Sequence, residues 1–139
     1  MKALLGKMAS SSPAQHDIGL LILRLWFGLV MAFAHGLPKL ESPEKITGFL
    51  TSLEVPAPGL MVWVVIAAEL LGGILLALGL LTRVAAFGFV VTMLVAAFVA
   101  HGDDPFSKME FALAYGVVGL ALLITGPGRL SVDHKLFGS

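Results

Sequence analysis

The chain has 139 residues, of which 58% are hydrophobic and 13% are charged, and nine basic and nine acidic residues balance to zero net charge. So apolar a composition indicates a membrane protein of one domain, and the neutral balance gives no indication of nucleic-acid binding. Because the chain has no cysteine, the sequence excludes disulfides, thiol redox relays, thiolate-bound iron–sulfur clusters and covalent haem attachment.

Four apolar stretches predict membrane-spanning helices, because about 20 mostly apolar residues are needed to cross the hydrocarbon as a helix. They cover about 18–35, 60–81, 84–100 and 110–126. The apolar part of the fourth, Phe111 to Ile124, would cover only about 21 Å at the rise of a helix. We therefore expect this span to recruit Glu110 and residues toward Pro127, or to lie where the bilayer thins.

The connections between these stretches support the division. A tight turn is predicted over 79–83 and a polar loop over 101–109. The long connection 36–59 contains apolar residues at helical spacing, which predicts a short amphipathic helix at the membrane interface: Ile46, Phe49, Leu50 and Leu53. The prediction is an all-α fold with a single domain over 1–139: a polytopic membrane four-helix bundle with an extra short amphipathic helix between spans one and two.

The first apolar stretch also resembles a secretory signal peptide, since Lys2 and Lys7 precede a run that ends in the small-residue pattern at 32–34. Arg24 interrupts this run, so we interpret it as a retained membrane helix.

The positive-inside rule predicts the orientation of the spans. With four spans, both termini lie on the same side of the membrane. Lys and Arg are more frequent on that side than on the other. The first side has Lys2, Lys7, Arg83, Arg129 and Lys135, and the second has Lys39, Lys45 and Lys108. We expect a multi-pass protein of a bacterial-type plasma (inner) membrane with both termini cytoplasmic.

Glu69 is the most informative residue, because a carboxylate inside an apolar span is costly unless it is paired or hydrated. Gly72 and Gly73 share its helix face, so Glu69 should point into the bundle. Side chains lean toward the N-terminus of their helix, and Arg24 and Glu69 on antiparallel helices therefore lean apart. We expect Glu69 to join a cluster of candidate ligand-binding residues at the non-cytoplasmic end: Glu69, His35, Lys39, His101 and Glu110.

Each of these charges also has a structural interpretation. Glu69 with a basic partner could simply fix helix register as a buried ion pair. Arg24 could extend its long side chain to the cytoplasmic headgroups. We treat Arg24 and Arg83 as candidates for structural charges.

Three chemistries could use the cluster. A quinone head needs hydrogen-bond donors for two carbonyl oxygens, and its reduction consumes protons that His or Glu can relay. A b-type haem between His35 and His101 requires both rings to face the bundle at equal depth. A metal site lacks local ligand spacing, so no metal is predicted.

Three segments resemble signatures of the DoxX family of small membrane proteins: RLWFGLVMAFAHGLPKL at 24–40, AELLGGILLALGLLTR at 68–83 and GPGRLSVD at 126–133. The resemblance implies a four-helix membrane bundle linked to respiratory or redox membrane biology. It also implies characteristic polar positions at Arg24, His35, Lys39, Glu69 and Arg83. The chief departure is Pro38, which is expected to break the helix just before Lys39.

The leading hypothesis is a membrane component of a redox, quinone-linked or oxidative-stress system that binds a small hydrophobic carrier. It would use no covalently bound cofactor, with a quinone as the carrier, and its partners would be the lipid bilayer, redox subunits and further copies of itself. Whether it is a subunit of a membrane oxidoreductase stays open. The alternative is a non-enzymatic membrane scaffold or small-molecule carrier whose polar cluster is structural. A proton-coupled transporter is disfavoured because four spans are few and no inverted repeat is evident.

Overall fold

The computed structural model describes residues 10–138 together with Gly6. Within this part of the chain all regular structure is helical. Four helices are long and apolar enough to cross a membrane, and we number them span 1 to span 4: Pro13–Glu41, Pro58–Leu78, Thr82–Ala100 and Phe106–Thr125. The predicted all-α four-span fold is therefore confirmed. Lys2 and Lys7, which contributed to the predicted orientation and the signal-peptide comparison, lie outside the described residues.

Two shorter helices complete the fold over residues 10–138. A connecting helix, Pro43–Ser52, joins spans 1 and 2, and a C-terminal helix, Val132–Phe137, follows span 4. The connecting helix is the predicted amphipathic helix, and its Leu50 packs on Val62 and Ile66 of span 2.

Each of the first three spans contains a π-helical segment. We call them π1 (Met31–Gly36), π2 (Ala67–Leu71) and π3 (Ala96–Ala100). The rest of these spans is α-helical, over Pro13–Val30 and Leu37–Glu41, Pro58–Ile66 and Gly72–Leu78, and Thr82–Val95. A π turn bonds i to i+5 and so takes in one residue more than an α turn. Side chains beyond each segment are therefore rotated from the positions that a regular α-helix predicts.

Span 1 is longer than the predicted 18–35, because Pro38 does not break it. The Leu37 N–H bonds to the Ala32 carbonyl, five residues back, so the helix is already widened where the proline ring enters. Pro38 then occupies the first turn of Leu37–Glu41, where the missing N–H costs little. At about 1.5 Å per residue, the 29 residues of span 1 are roughly 13 Å longer than the hydrocarbon is thick.

Span 4 begins at Phe106, four residues earlier than predicted. Pro105 precedes the helix at its N-cap, and the polar loop shortens to 101–105. The helix has 20 residues, or about 30 Å, so it needs neither extra residues nor a thinner bilayer.

Spans 1 and 2 meet backbone to backbone. A Cβ atom on Gly28 would lie 2.5 Å from the Gly73 carbonyl oxygen, and one on Gly36 would lie 2.5 Å from the Leu70 nitrogen. Only glycine permits this approach. It brings π1 and π2 side by side and sets Lys39 level with Glu69.

The remaining packing is apolar. Large side chains from all four spans are buried in the bundle: Met31, Leu76, Phe89, Met93 and Leu122. Others are exposed around its outside, as contact with lipid tails requires: Trp26, Trp63, Phe87, Phe98 and Ile124.

The bundle has two distinct ends. We call them the terminal end, formed by 13–24, 79–83 and 126–137, and the loop end, formed by 36–57 and 101–108. Span 2 ends at the terminal end, where Gly79 adopts a φ of 67° and forms the predicted tight turn into span 3.

Candidate functional site: a polar cavity at the loop end

A half-open cavity of about 160 Å³ lies between the spans near the loop end. Polar side chains and flexible apolar ones share its wall: Met31, His35, Lys39, Glu69, Met93, Ala96, His101, Lys108, Phe111, Ala112 and Tyr115. All four spans and the loop between spans 3 and 4 contribute. We call this space the loop-end cavity.

Lys39 and Glu69 form an ion pair in the cavity wall, with the ammonium Nζ donating to Glu69 Oε2. The Glu69 side chain is 6% exposed and that of Lys39 is 24% exposed. A carboxylate buried in an apolar bundle requires such a partner. The ammonium has three N–H groups, so this bond leaves donors free for another acceptor.

All three π-helical segments reach this cavity. Met31 and His35 belong to π1, Glu69 to π2 and Ala96 to π3. Single π turns inside α-helices often occur at functional sites, because they aim side chains in directions that an α-helix does not reach. Three spans therefore depart from regular geometry around one cavity.

His101 and Lys108 share the carboxylate of Asp104 at the loop-end rim. The His101 Nδ1 lies 2.8 Å from Asp104 Oδ2, and Lys108 Nζ lies 3.3 Å from Oδ1. The hydrogen bonds from His101 and then Lys108 hold the pKa of Asp104 below its ordinary value. The ionised Asp104 fixes the imidazole through Nδ1, which leaves Nε2 for a ligand or for water.

Tyr115 of span 4 connects the cavity wall to span 1. Its ring centroid lies 5.1 Å from that of Phe27 and 5.9 Å from that of His35, both at steep edge-on angles. His35 is exposed, although it touches a residue at the middle of a span.

The structure brings Glu69, His35, Lys39 and His101 to one cavity, but not Glu110, which is exposed and does not line it. The reason is helical phase. With span 4 beginning at Phe106, Glu110 lies about 200° around the helix from Lys108, which does line the cavity. Sequence reasoning missed Lys108 and Tyr115, although both share a face with Ala112 at the i, i+4, i+7 spacing.

A second polar cluster occupies the terminal end. Arg24 has no exposed surface, and its guanidinium donates to the carbonyls of Leu130 and, at 3.5 Å, Ala77. Asp17 accepts from the backbone N–H of Arg129 at 2.9 Å and from its Nε at 2.6 Å. These bonds hold the segment after span 4 against spans 1 and 2.

Asp133 caps span 3 at the same end. Its two carboxylate oxygens accept the backbone N–H groups of Leu81 at 2.7 Å and Thr82 at 2.9 Å. Burial raises the pKa of Asp133, but these hydrogen bonds and the charge of Arg24 outweigh it, so the pKa lies below the ordinary value. The carboxylate thus serves a helix N-terminus.

The buried position of Arg24 corrects the interpretation that it extends to the headgroups. Its guanidinium packs over Gly79, in space that any other side chain there would fill. Arg83, by contrast, is exposed and donates weakly, at 3.5 Å, to the Ile124 carbonyl near the end of span 4.

Four long apolar helices around a polar cavity define a small polytopic membrane protein. The chain belongs to the DoxX family, whose family model matches residues 19–102. This confirms the resemblance seen in the sequence.

Curated relatives match most of the chain. A Bacillus subtilis protein named "Putative oxidoreductase CatD" is 33% identical over 122 residues, which cover 87% of this chain and 89% of that protein. The Escherichia coli inner membrane protein YphA is 30% identical over 131 residues, covering 88% and 93%. An uncharacterized Haemophilus influenzae protein is 39% identical over 115 residues, covering 77% and 83%. No solved structure matches the chain significantly.

Proposed function

We propose that this protein is a membrane component of a redox system whose loop-end cavity binds the polar head of a quinone or a similar small hydrophobic carrier. The observation that carries the proposal is the convergence of the buried Lys39–Glu69 pair and two imidazoles on one cavity inside an apolar bundle. The Bacillus subtilis relative carries the name "Putative oxidoreductase CatD", which supports the redox context.

The donors of the cavity wall suit a quinone head, which presents two carbonyl oxygens that only accept hydrogen bonds. The free N–H groups of Lys39, the rings of His35 and His101 and the hydroxyl of Tyr115 can all donate. The Lys39 ammonium donates to the Glu69 carboxylate, and charged donors make the stronger hydrogen bonds.

The size of the cavity suits a head group alone. Its volume of about 160 Å³ is below the roughly 300–1,000 Å³ of pockets that enclose a whole ligand. An apolar tail would have to lie outside it. A porphyrin is larger than the whole cavity, which disfavours a haem between His35 and His101.

Proton supply follows from the same residues. Reduction of a quinone to a quinol takes up two electrons and two protons. The electrons would come from a partner redox subunit. The protons would come through His101, which lies at the rim and is held by Asp104.

We also propose that the protein lies in a bacterial-type inner membrane with the terminal end in the cytoplasm. The Escherichia coli relative is named an inner membrane protein. Arg83, Arg129 and Lys135 lie at the terminal end, and Lys2 and Lys7 precede it in the sequence. A C-terminal reporter that is active only inside the cytoplasm is the expected result, and one active only outside would reverse the orientation.

Titration of the purified protein in lipid nanodiscs with a short-tailed benzoquinone tests the proposal. We expect saturable binding that Glu69→Gln weakens by about tenfold, or ~1.4 kcal/mol. Glu110→Gln is the matched control, because Glu110 is exposed and lines no part of the cavity. Absence of saturable binding, or equal affinity in both variants and wild type, would contradict the proposal.

A non-enzymatic scaffold is the second candidate. It is favoured by the mutual pairing of Lys39 and Glu69, which leaves neither charge uncompensated without any ligand. It predicts that Glu69→Gln lowers stability and leaves the quinone titration unchanged.

A further inference from the structure

The four spans do not close evenly around the loop-end cavity. Spans 1 and 2 pack through π1 and π2, π2 packs on span 3, and span 3 packs on span 4 along its length. Span 1 packs on span 4 through Pro13–Val30, whereas π1 and Leu37–Glu41 have at most sparse backbone contact with span 4 within the described chain. A gap therefore separates spans 1 and 4 at the level of the cavity, crossed by the side chain of Tyr115.

This gap lies at the middle of the apolar length of span 4. Tyr115 is the tenth of the 20 residues of span 4, about 15 Å from either end of the helix. His35 lies beside it across the gap and is exposed. An exposed imidazole at this depth would face lipid tails, a costly arrangement unless a polar group covers it.

The outer edge of the gap is apolar, whereas its inner side is charged. Phe111 of span 4 lines the cavity and is 72% exposed, so its ring reaches from the wall toward lipid. Lys39 and Glu69 lie on the inner side. The cavity wall is therefore charged on its inner side and apolar on the side that faces the bilayer.

We infer that the gap between spans 1 and 4 is the entrance of the loop-end cavity and the seat of the ligand's apolar tail. The ligand is then an amphiphile taken sideways from the bilayer, with a polar head that fills about 160 Å³ and a tail that passes between His35 and Phe111. A solute entering from water at the loop end is the competing case. The inference rests on the proposed function, since it specifies how a carrier reaches that site.

Photolabelling in nanodiscs tests the route. The probe is a benzoquinone with an isoprenoid tail that carries a diazirine close to the head, and its control has the same tail and diazirine without the quinone. We expect head-dependent crosslinks within 33–41 of span 1 and 106–115 of span 4, which unlabelled tailed quinone competes away. Head-dependent crosslinks in span 2 or span 3 instead would overturn the inference.

A pair of variants gives a second measurement. Phe111→Ala should lower the affinity for the tailed quinone about fivefold more than the affinity for a tail-less benzoquinone, because the tail loses part of its contact with the aromatic ring. Phe87→Ala is the matched control, because Phe87 is a comparably exposed phenylalanine of span 3 that does not line the cavity. If the tail-less quinone binds saturably but the tail gives neither crosslinks nor a Phe111 effect, only the lateral entrance fails. If neither quinone binds, the proposed function itself fails.

Discussion

The terminal end and the loop end both bring charged side chains into an apolar bundle, but they use them differently. At the terminal end Arg24 is bound to backbone carbonyls and Asp133 to backbone N–H groups, so the charges hold chain segments together. At the loop end Lys39 keeps donors free beside a cavity. The comparison teaches that burial of a charge does not mark a binding site by itself. Unused hydrogen-bonding capacity next to open space is the more informative sign.

The strongest test of this comparison removes the central charge of the terminal end. Arg24→Leu leaves the Leu130 carbonyl without its donor and Asp133 without the nearby positive charge, so we expect a loss of about 3–5 kcal/mol of stability. Denaturation in nanodiscs measures it. Arg83→Leu, at an exposed position, should cost less than about 1 kcal/mol. Loss of quinone affinity in the folded fraction of Arg24→Leu would show that the two ends are coupled.

The Lys39–Glu69 pair allows structure and function to be separated. Glu69→Gln alone leaves a partly buried ammonium unpaired and should cost about 1–3 kcal/mol of stability. The double variant Lys39→Gln/Glu69→Gln should recover most of this loss, because no uncompensated charge remains. Quinone affinity should stay at least about tenfold reduced in both. Unchanged quinone titrations in both variants, alongside the loss and recovery of stability, would favour the scaffold instead.

The cap of span 3 predicts a dependence of stability on pH. Because the pKa of Asp133 is lower in the folded protein, its contribution is present above the ordinary value of about 4 and is lost as the pH falls through the folded value. Asp133→Asn should cost about 1 kcal/mol at neutral pH and flatten this acid decline. Denaturation measured from pH 7 downward in wild type and variant checks both effects, and an unchanged acid decline in the variant would assign it to other carboxylates.

The smallest effect is expected at the rim of the cavity. Asp104→Asn weakens a solvent-accessible pair and should leave stability nearly unchanged. Loss of the carboxylate charge should reduce quinone affinity about threefold, on the order of half a typical hydrogen bond, because a neutral amide holds the His101 ring less firmly. The neighbouring Asp103→Asn is the control, since Asp103 is exposed and bonds to none of the described residues. Equal titrations in the two variants would remove Asp104 from the site.

The spans could be predicted because hydropathy over twenty residues depends little on tertiary detail. Glu69 could be directed toward Lys39 and away from Arg24 because side chains lean toward the start of their helix. The prediction that Glu110 joins the cluster was wrong because it depended on where span 4 begins. With the start placed four residues too late, Lys108 lay outside the predicted helix, so the face that it shares with Tyr115 was not recognised. Helix boundaries are the least determined feature of a sequence.

Other features depend on contacts that no local pattern contains. Asp17 meets Arg129 across 112 residues of sequence, and Asp133 caps a helix that begins 51 residues before it. Span 1 continues past Pro38 because a π turn precedes the proline. Whether a π turn forms depends on which carbonyl accepts each N–H, and no sequence pattern shows this. The burial of Arg24 likewise requires that residue 79 has no side chain, because the guanidinium occupies the space next to Gly79.

The π-helical segments also bear on how this family can vary in length. Each behaves as a one-residue insertion in a helix whose two ends are already fixed by packing. Deleting one residue within Met31–Gly36 would restore a regular α turn and leave the rotation of the helix beyond it unchanged, so Lys39 would still face Glu69 while Arg24 stays in place. Relatives with a one-residue gap at this point can therefore keep both members of the ion pair. A spacing between Arg24 and Lys39 that is shorter by one residue then marks the loss of the π turn, not the loss of the pair.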